Sequence, residues 1–273
     1  MPLAPWEPEP VLRLALESLR RQVPAPAEVV IACDGALPEP LLALLQASGL
    51  PLRRVPGPGG EGVGPVLARG LRACSHEWVL RADADDISRP QRARRQLSQL
   101  LARPELAAMS APLPEFIRSP EAPIAQRPVP LGPALLRRRS RWRNPLNHPS
   151  VILRRSRVLA AGNYRAMPGF EDYDLWLRLL RRGPCLDNLP EPLVDARVGA
   201  AHLRRRHGLR YAARELCFLA TCLREGLLPW WAVLAQVGLR LPLRLLPIAL
   251  LERIMAGPLR SGPLGSGPAG PVP

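Results

Sequence analysis

The stretch EWVLRADADDISRP, residues 77–90, runs an apolar segment straight into three carboxylates, Asp83, Asp85 and Asp86, in a chain of 273 residues with a formal net charge of +15. Two carboxylates about 5 Å apart repel by roughly 3 kcal/mol at an effective dielectric near 20, so such a cluster requires a cation or hydrogen-bond donors to offset it. Two readings are open at this point. Asp83 and Asp85 can be solvated turn residues, with Asp86 or Ser88 capping a helix that opens at Pro90. Alternatively, the loop can be a site for something positive.

Upstream of this stretch, Leu12, Ala15, Leu16 and Leu19 recur at helical spacing, and VVIAC (29–33) is a short apolar run typical of a buried strand. A helix near 39–48, a strand at LRRV, the glycine-rich loop GPGGEGVG (57–64) and a helix near 65–74 follow. Downstream, the text predicts a helix over 90–102, a strand at LAAMS and a proline-rich surface loop over 111–133. It then predicts a strand at SVILR, a short helix ending at Gly162, and a helix from about Asp172 to Arg182 with Glu171 and Asp172 as its acidic cap. This alternation predicts an α/β fold: a mainly parallel, Rossmann-like sheet flanked by helices and built with right-handed crossovers. Ligands of such sheets lie beyond the carboxyl ends of the strands, where CDG (33–35) and DADD (83–86) both fall, so two acidic loops should line one crevice.

All 38 basic residues are arginine and 35 residues are proline, which marks a compositional bias. A basic surface attracts anionic partners of several kinds. No nucleic-acid-binding motif is present, and the few aromatics do not interleave with the arginine clusters, so nucleic acid is not expected as a partner. Five cysteines with no CxxC pair fit a reducing, cytoplasmic compartment, and the N-terminus lacks the pattern of a secretory signal.

Residues 226–257, GLLPWWAVLAQVGLRLPLRLLPIALLERIMAG, are apolar but interrupted by Arg240, Pro242, Arg244 and Pro247, short of the ~20 apolar residues of a spanning helix. Trp230, Trp231 and the flanking arginines suit an interfacial contact at the inner face of the membrane, and packing on the catalytic core is the alternative. The expected organisation is a domain over 1–205, a helical apolar extension over 206–257 and a disordered Gly/Pro tail over 258–273.

Four segments in this order, AEVVIACDG (27–35), GVGPVLARGLRACSHEWVLRADADDISRP (62–90), NPLNHPSVILRRS (144–156) and GFEDYDLWLRLL (169–180), resemble the family 2 glycosyltransferases of the GT-A fold. The resemblance spans roughly residues 1–200. It implies an inverting transfer of a sugar from a nucleotide-diphospho-sugar to an acceptor hydroxyl, in polysaccharide, glycolipid or glycoconjugate biosynthesis. The acceptor would be a sugar or a lipid-linked sugar. On this resemblance Asp34 would contact the nucleotide, with Cys33 standing where a second Asp is frequent. Asp85 would ligate a divalent metal, Mg²⁺ or Mn²⁺, and Asp83 would contact the ribose or the metal's water shell, while Asp86 orients the loop. Asp172, with Glu171 second, would take the acceptor's proton, and His148 would be a structural neighbour. The family opens with an apolar strand and a nucleotide-contacting loop, and here the chain begins at Met1-Pro2-Leu3 where that loop belongs. The first strand is therefore expected to be missing and the start to be assigned too late. That departure and Cys33 motivate an alternative of another class, a catalytically silent nucleotide-binding or scaffold protein. A nucleotidyltransferase fits less well, because the loop at 57–64 lies too late and lacks a lysine.

Overall fold

The computed structural model describes residues 1–183, 185–199 and 207–245. Its first sheet is wholly parallel: β1 (Pro2–Leu3), β2 (Val29–Cys33) and β3 (Leu52–Val55), in the order β1-β2-β3. Every residue of β2 is buried, as its β-branched run requires. Helix α1 (Glu9–Arg20) carries Pro10 in its first turn, where no amide donor is needed, and buries Leu12, Ala15 and Leu16. With α2 (Glu39–Ala47) it packs Leu12, Leu16, Leu41 and Leu45 on Leu3 and Ile31. Where the sequence predicts no first strand, the structure has this two-residue β1, with Pro2 opposite Ala32 and Leu3 opposite Cys33.

A second sheet, in the order β10-β6-β9-β4, contains β4 (Trp78–Leu80), β6 (Leu106–Ser110), β9 (Ile152–Arg154) and β10 (Cys185–Asn188). β10 and β6 are parallel, and β9 runs antiparallel between β4 and β6. Among the described residues β2 and β4 do not pair with each other. An apolar groove of about 420 Å³, bordered by Met1, Val30, Trp78 and Leu80, lies between them. The Met1 amine donates to Val30 O at 2.9 Å, and burial pushes its pKa down to about 5. Helix α3 (Val63–Ala73) bridges the sheets, burying Val66, Leu67 and Leu71, and α4 (Arg92–Ala102) packs Leu100 with Leu106 and Met109.

The third sheet changes the reading of residues 111–133. This segment is not an irregular loop throughout: β7 (Leu113–Phe116) and β8 (Ala125–Arg127) form an antiparallel hairpin, with Leu113 opposite Arg127. β7 pairs in parallel with β11 (Val194–Arg197), which also takes β5 (Ile87–Ser88) antiparallel, giving the order β5-β11-β7-β8. A proline inside β7 hides the strand from propensity, since proline argues against a central strand. α5 (Pro133–Arg139), a 3₁₀ turn at His148–Ser150 and α6 (Arg155–Ala160) lead on to α7 (Glu171–Arg181).

Two long helices, α8 (Leu209–Arg224) and α9 (Trp230–Leu245), form the extension expected beyond residue 205, and the Gly/Pro tail lies outside the described residues. Their inner faces pack on α7: Phe170 stacks on Phe218 with ring centroids 4.7 Å apart, and Tyr173 lies 5.1 Å from the same ring. Buried Glu215 of α8 accepts from Arg240 at 3.0 Å and Arg244 at 2.9 Å on α9, so its charge is compensated where desolvation would otherwise be costly. Among the described residues no helix is long and apolar enough to cross a membrane.

Gly64, in the first turn of α3, lets the backbone before α7 come close. A Cβ there would lie 2.2 Å from Arg165 O and 3.4 Å from the Glu171 Cβ. Gly64→Ala is therefore expected to cost about 1–3 kcal/mol, as overpacking does. By contrast Gly238→Ala, on the open side of α9, should gain roughly 0.5–1 kcal/mol. Chemical denaturation of the two variants checks the contrast, and equal shifts would show that α3 and α7 do not meet as described.

Candidate active site

Along the segment after β4 burial alternates: Ala82 and Ala84 are buried, whereas Arg81, Asp83 and Asp85 are half-buried and line the main cleft. With side chains alternating along the segment, the D-x-D spacing puts Asp83 and Asp85 on one face. Asp86 continues the alternation on the buried side, with Ala82 and Ala84, and its Oδ1 accepts the Arg197 amide of β11 at 2.9 Å. Burial, and then the charge of Asp85, push its pKa up to about 7. The expected cap of the next helix is absent: α4 starts after Gln91 with no side-chain cap, and Ser88 instead accepts from Arg92 at 3.0 Å.

Arg81 supplies the offsetting charge that the bare sequence leaves unassigned. Its guanidinium pairs with Asp83 and is buried. Desolvation lowers its pKa, while Asp86, Asp172 and Asp85 hold it up. Oxygen atoms of Asp83, Asp85 and Asp86 all lie within 4.8 Å of one another. The Asp85 carboxylate has no hydrogen bond or ion pair among the described residues, and it lines the main cleft. That set of hard oxygens fits Mg²⁺ or Mn²⁺, which take one or two carboxylates and complete their shell with water and phosphate.

The cleft, of about 1010 Å³, also takes in Glu171 and Asp172 from the start of α7. The sequence predicts that these residues cap the helix, and they do not. Phe170 is the N-cap without a side-chain bond, and both acids sit inside the first turn, where the helix dipole favours them. Asn144 Nδ2 donates to Asp172 Oδ2 at 2.6 Å and the Tyr173 amide to Asp172 Oδ1 at 2.7 Å, so both oxygens are oriented. Glu171 accepts the Gly169 amide at 2.8 Å, and burial, followed by repulsion from Asp172, pushes its pKa up to about 7.

The acidic loop and the α7 acids therefore share one cleft, and Asp34 does not line it. Asp34 lies at the carboxyl end of β2, where Gly35 and the glycine loop approach closely; a Cβ on Gly59 would be 3.2 Å from the Gly35 Cα. Its Oδ1 is buried with no hydrogen-bond partner among the described residues, an acceptor open to a donor from a ligand. His148 lines the cleft but is buried, with Nε2 3.0 Å from the Tyr164 hydroxyl and its pKa pushed well down by desolvation and by Arg81. That environment keeps the ring neutral, as a structural role requires.

Sequence reasoning missed Arg81, Asn144 and Glu7. Glu7, in the loop after β1, has its pKa raised by burial and then by Asp85. Only the NPLNH run at 144–148 carried a signal, and it pointed at the histidine.

Comparison with known proteins decides the family. Residues 7–161 match the family described as Glycosyl transferase family 2. The chain belongs to glycosyl transferase family 2. As a family 2 glycosyltransferase it is 35% identical over 207 residues to the amylovoran biosynthesis glycosyltransferase AmsE of Erwinia amylovora, covering 75% of this chain and 77% of that one. It is 30% identical over 235 residues to the UDP-Gal:alpha-D-GlcNAc-diphosphoundecaprenol beta-1,3-galactosyltransferase of Escherichia coli, covering 85% of each. Among solved structures, the mannosyltransferase PcManGT of Pyrobaculum calidifontis, in complex with GDP-Man and Mn²⁺, superposes with a TM-score of 0.64 at 19% identity, over 93% of this chain and 74% of that one. TarS residues 1–349 of S. aureus, in complex with UDP-GlcNAc, superposes at 0.61 and 14% identity, over 81% of this chain and 65% of that one. These neighbours establish the GT-A fold for this family 2 member.

Glu171 provides a pH test. Its folded pKa is about 7 against an ordinary 4.5, so its contribution to stability is complete below pH 4.5 and lost as pH rises through 7. Glu171→Gln keeps the acceptor for the Gly169 amide and removes the titration. Relative to the parent, it is expected to be more stable at pH 8 than at pH 5 by on the order of 1–3 kcal/mol. Thermal unfolding at the two pH values measures this, and an identical difference at both would refute it.

Proposed function

We propose that this glycosyltransferase is an inverting, metal-assisted hexosyltransferase that moves a sugar from a nucleotide-diphospho-sugar to a hydroxyl of a lipid-linked acceptor. The observation that carries the reading is the shared cleft, in which Asp172, both oxygens oriented, faces the same space as Asp83 and Asp85. Asp172 takes the proton of the acceptor hydroxyl as that oxygen bonds to the anomeric carbon, while the bond from that carbon to the donor phosphate breaks on the opposite face. Glu171 tunes the field beside it, and Asp34 receives the nucleotide base.

Asp85, with Asp83, would hold Mg²⁺ or Mn²⁺, which supplies positive charge to the leaving nucleoside diphosphate. The Mn²⁺ of the mannosyltransferase neighbour and the GDP-Man and UDP-GlcNAc donors of the two superposed structures support this choice. The E. coli relative's diphosphoundecaprenol acceptor and the amylovoran relative support a role in cell-envelope polysaccharide or glycolipid assembly.

A lipid-linked acceptor puts the work at the inner surface of the membrane. The outward face of α9 carries Trp230, Trp231, Leu234 and Leu239 without an intervening charge, and Trp142 lies 5.7 Å from Trp231 with Arg141 over the same ring. Aromatics beside arginines suit the headgroup layer, so this face would give a peripheral, reversible contact.

Two variants test the chemistry. Asp172→Asn should leave donor affinity close to the parent's and lower transfer by ~10²- to 10⁴-fold, the typical contribution of a general base. Asp85→Ala should abolish the Mn²⁺ dependence of nucleotide binding, measured by calorimetry with and without chelator. Transfer at the parental rate by Asp172→Asn, or nucleotide binding by the parent that a chelator leaves unchanged, would overturn the respective assignment.

A further inference from the structure

The cleft is lined by six guanidinium side chains as well as five carboxylates. Three of the six are accounted for. Arg81 pairs with Asp83, Arg127 binds Glu115, with Nε 3.0 Å from Oε1, and Arg197 lies over the Phe116 ring at 4.7 Å. The other three, Arg139, Arg143 and Arg214, have no acidic partner among the described residues, and the chain outside those residues contains a single acid, Glu252. Desolvation and the neighbouring charges of Arg139 and Arg240 depress the Arg143 pKa, the signature of crowded like charge.

The segment that carries two of them is held rigid from behind. Tyr173 of α7 donates its hydroxyl to Ser140 O at 2.6 Å, Gln236 of α9 donates to Arg141 O at 2.9 Å, and Arg240 donates to Trp142 O. Asn144, next in the chain, holds Asp172. Arg141 and Trp142 meet Trp231 of α9, whereas Arg139 and Arg143 line the cleft, where Arg214 of α8 joins them. The backbone that carries Arg139 and Arg143 is thus held in place, while the exposed Arg143 and Arg214 side chains are open to a ligand, and arginine suits phosphate because its planar fork donates two parallel bonds.

We propose that Arg139, Arg143 and Arg214 form the wall of the cleft that binds the diphosphate of the acceptor, with the lipid leaving over Trp142 and Trp231 toward the apolar face of α9. This rests on the lipid-linked acceptor of the proposed function and assigns residues to it. The donor diphosphate is the competing source of the same chemistry; it belongs with the acidic loop and its cation, on the carboxylate side of the cleft. The arginine wall instead borders Asn144 and Asp172, where an acceptor hydroxyl must present its proton. A site specific for diphosphate at this place would make the phosphate-linked sugar, rather than a neutral glycoside, the substrate class.

Direct binding separates these assignments. Decyl diphosphate, decyl phosphate and the neutral decyl maltoside are titrated into the full-length protein below their micellar concentrations, and UDP with Mn²⁺ is titrated in parallel. The parent is expected to prefer decyl diphosphate to the maltoside by more than tenfold. Arg143→Ala and Arg214→Ala should each weaken decyl diphosphate by roughly 10-fold or more, the usual loss for a hydrogen bond to a charged group. Arg143→Lys should recover part of that loss, while UDP affinity changes less than about twofold. Circular dichroism and thermal unfolding confirm that each variant is folded, which is expected because these side chains bond nothing among the described residues. Folded variants that bind decyl diphosphate as the parent does would overturn the proposal, as would a parent with no preference for it or a fall in UDP affinity in step. Selective diphosphate binding that the variants lose, in a parent that transfers no sugar to any acceptor, would leave the wall standing and defeat the lipid-linked transfer on which its role rests.

Discussion

The cleft depends on one buried guanidinium, Arg81. It pairs with Asp83, and its charge acts on Asp86, Glu171 and His148 at once, opposing the upward pKa shift of the two acids and depressing the imidazole. Asp86 and Glu171 are held near 7 even so, because burial and their acidic neighbours outweigh it. Without a cation at this position, two acidic loops more than eighty residues apart could share a desolvated cleft only at a cost of several kcal/mol per pair. Arg81 itself follows from the strand: it is the first residue past β4, fixed by its amide's bond to Val151 O at 2.9 Å, so the sheet positions the charge that the site requires.

The helical extension is part of the same construction. α8 and α9 lock to each other through the buried Glu215 and its two arginines, and to α7 through the Phe170–Phe218 stack. From that base α9 grips the backbone at Arg141 and Trp142 while Tyr173 of α7 holds it at Ser140, just before Asn144, which bonds Asp172. Changes in α9 would thus reach the oriented carboxylate through two backbone contacts, without touching the cleft. The clamped segment lies between the apolar face of α9, which Trp142 meets at Trp231, and the cleft, which Arg139 and Arg143 line.

Much of this was legible in the chain. The alternation of VVIAC, LRRV, WVL and LAAMS with amphipathic stretches predicted an α/β fold because burial of a strand or a helix face is written in the periodicity of adjacent residues. The acidic run after WVL was likewise expected at the carboxyl end of a strand, lining a crevice, and four ordered motifs sufficed for the family. The hairpin over 113–127 was hidden by Pro114, whose conflict with strand propensity is resolved only by the pairing of β7 with β11. The short β1 was hidden too, since two residues carry no periodicity at all.

Charge compensation was the part the sequence could not supply. DADD and FED announced repulsion; Arg81 stands two residues before Asp83, yet the chain does not show that its buried charge also acts on Asp172, nor does anything near FED identify Asn144 as the donor for Asp172, or Arg139, Arg143 and Arg214 as a group. Each of these depends on which elements are brought within a few ångströms of one another, and Coulomb and hydrogen-bond energies follow distance in space rather than separation along the chain. The sequence by itself determined which residue types would stand at the strand ends, because patterning and backbone propensity are local. Only the tertiary structure decided which of those charges face each other and which face an open cleft, because that is settled by the packing of β4, α5, α7 and α8 around a shared space.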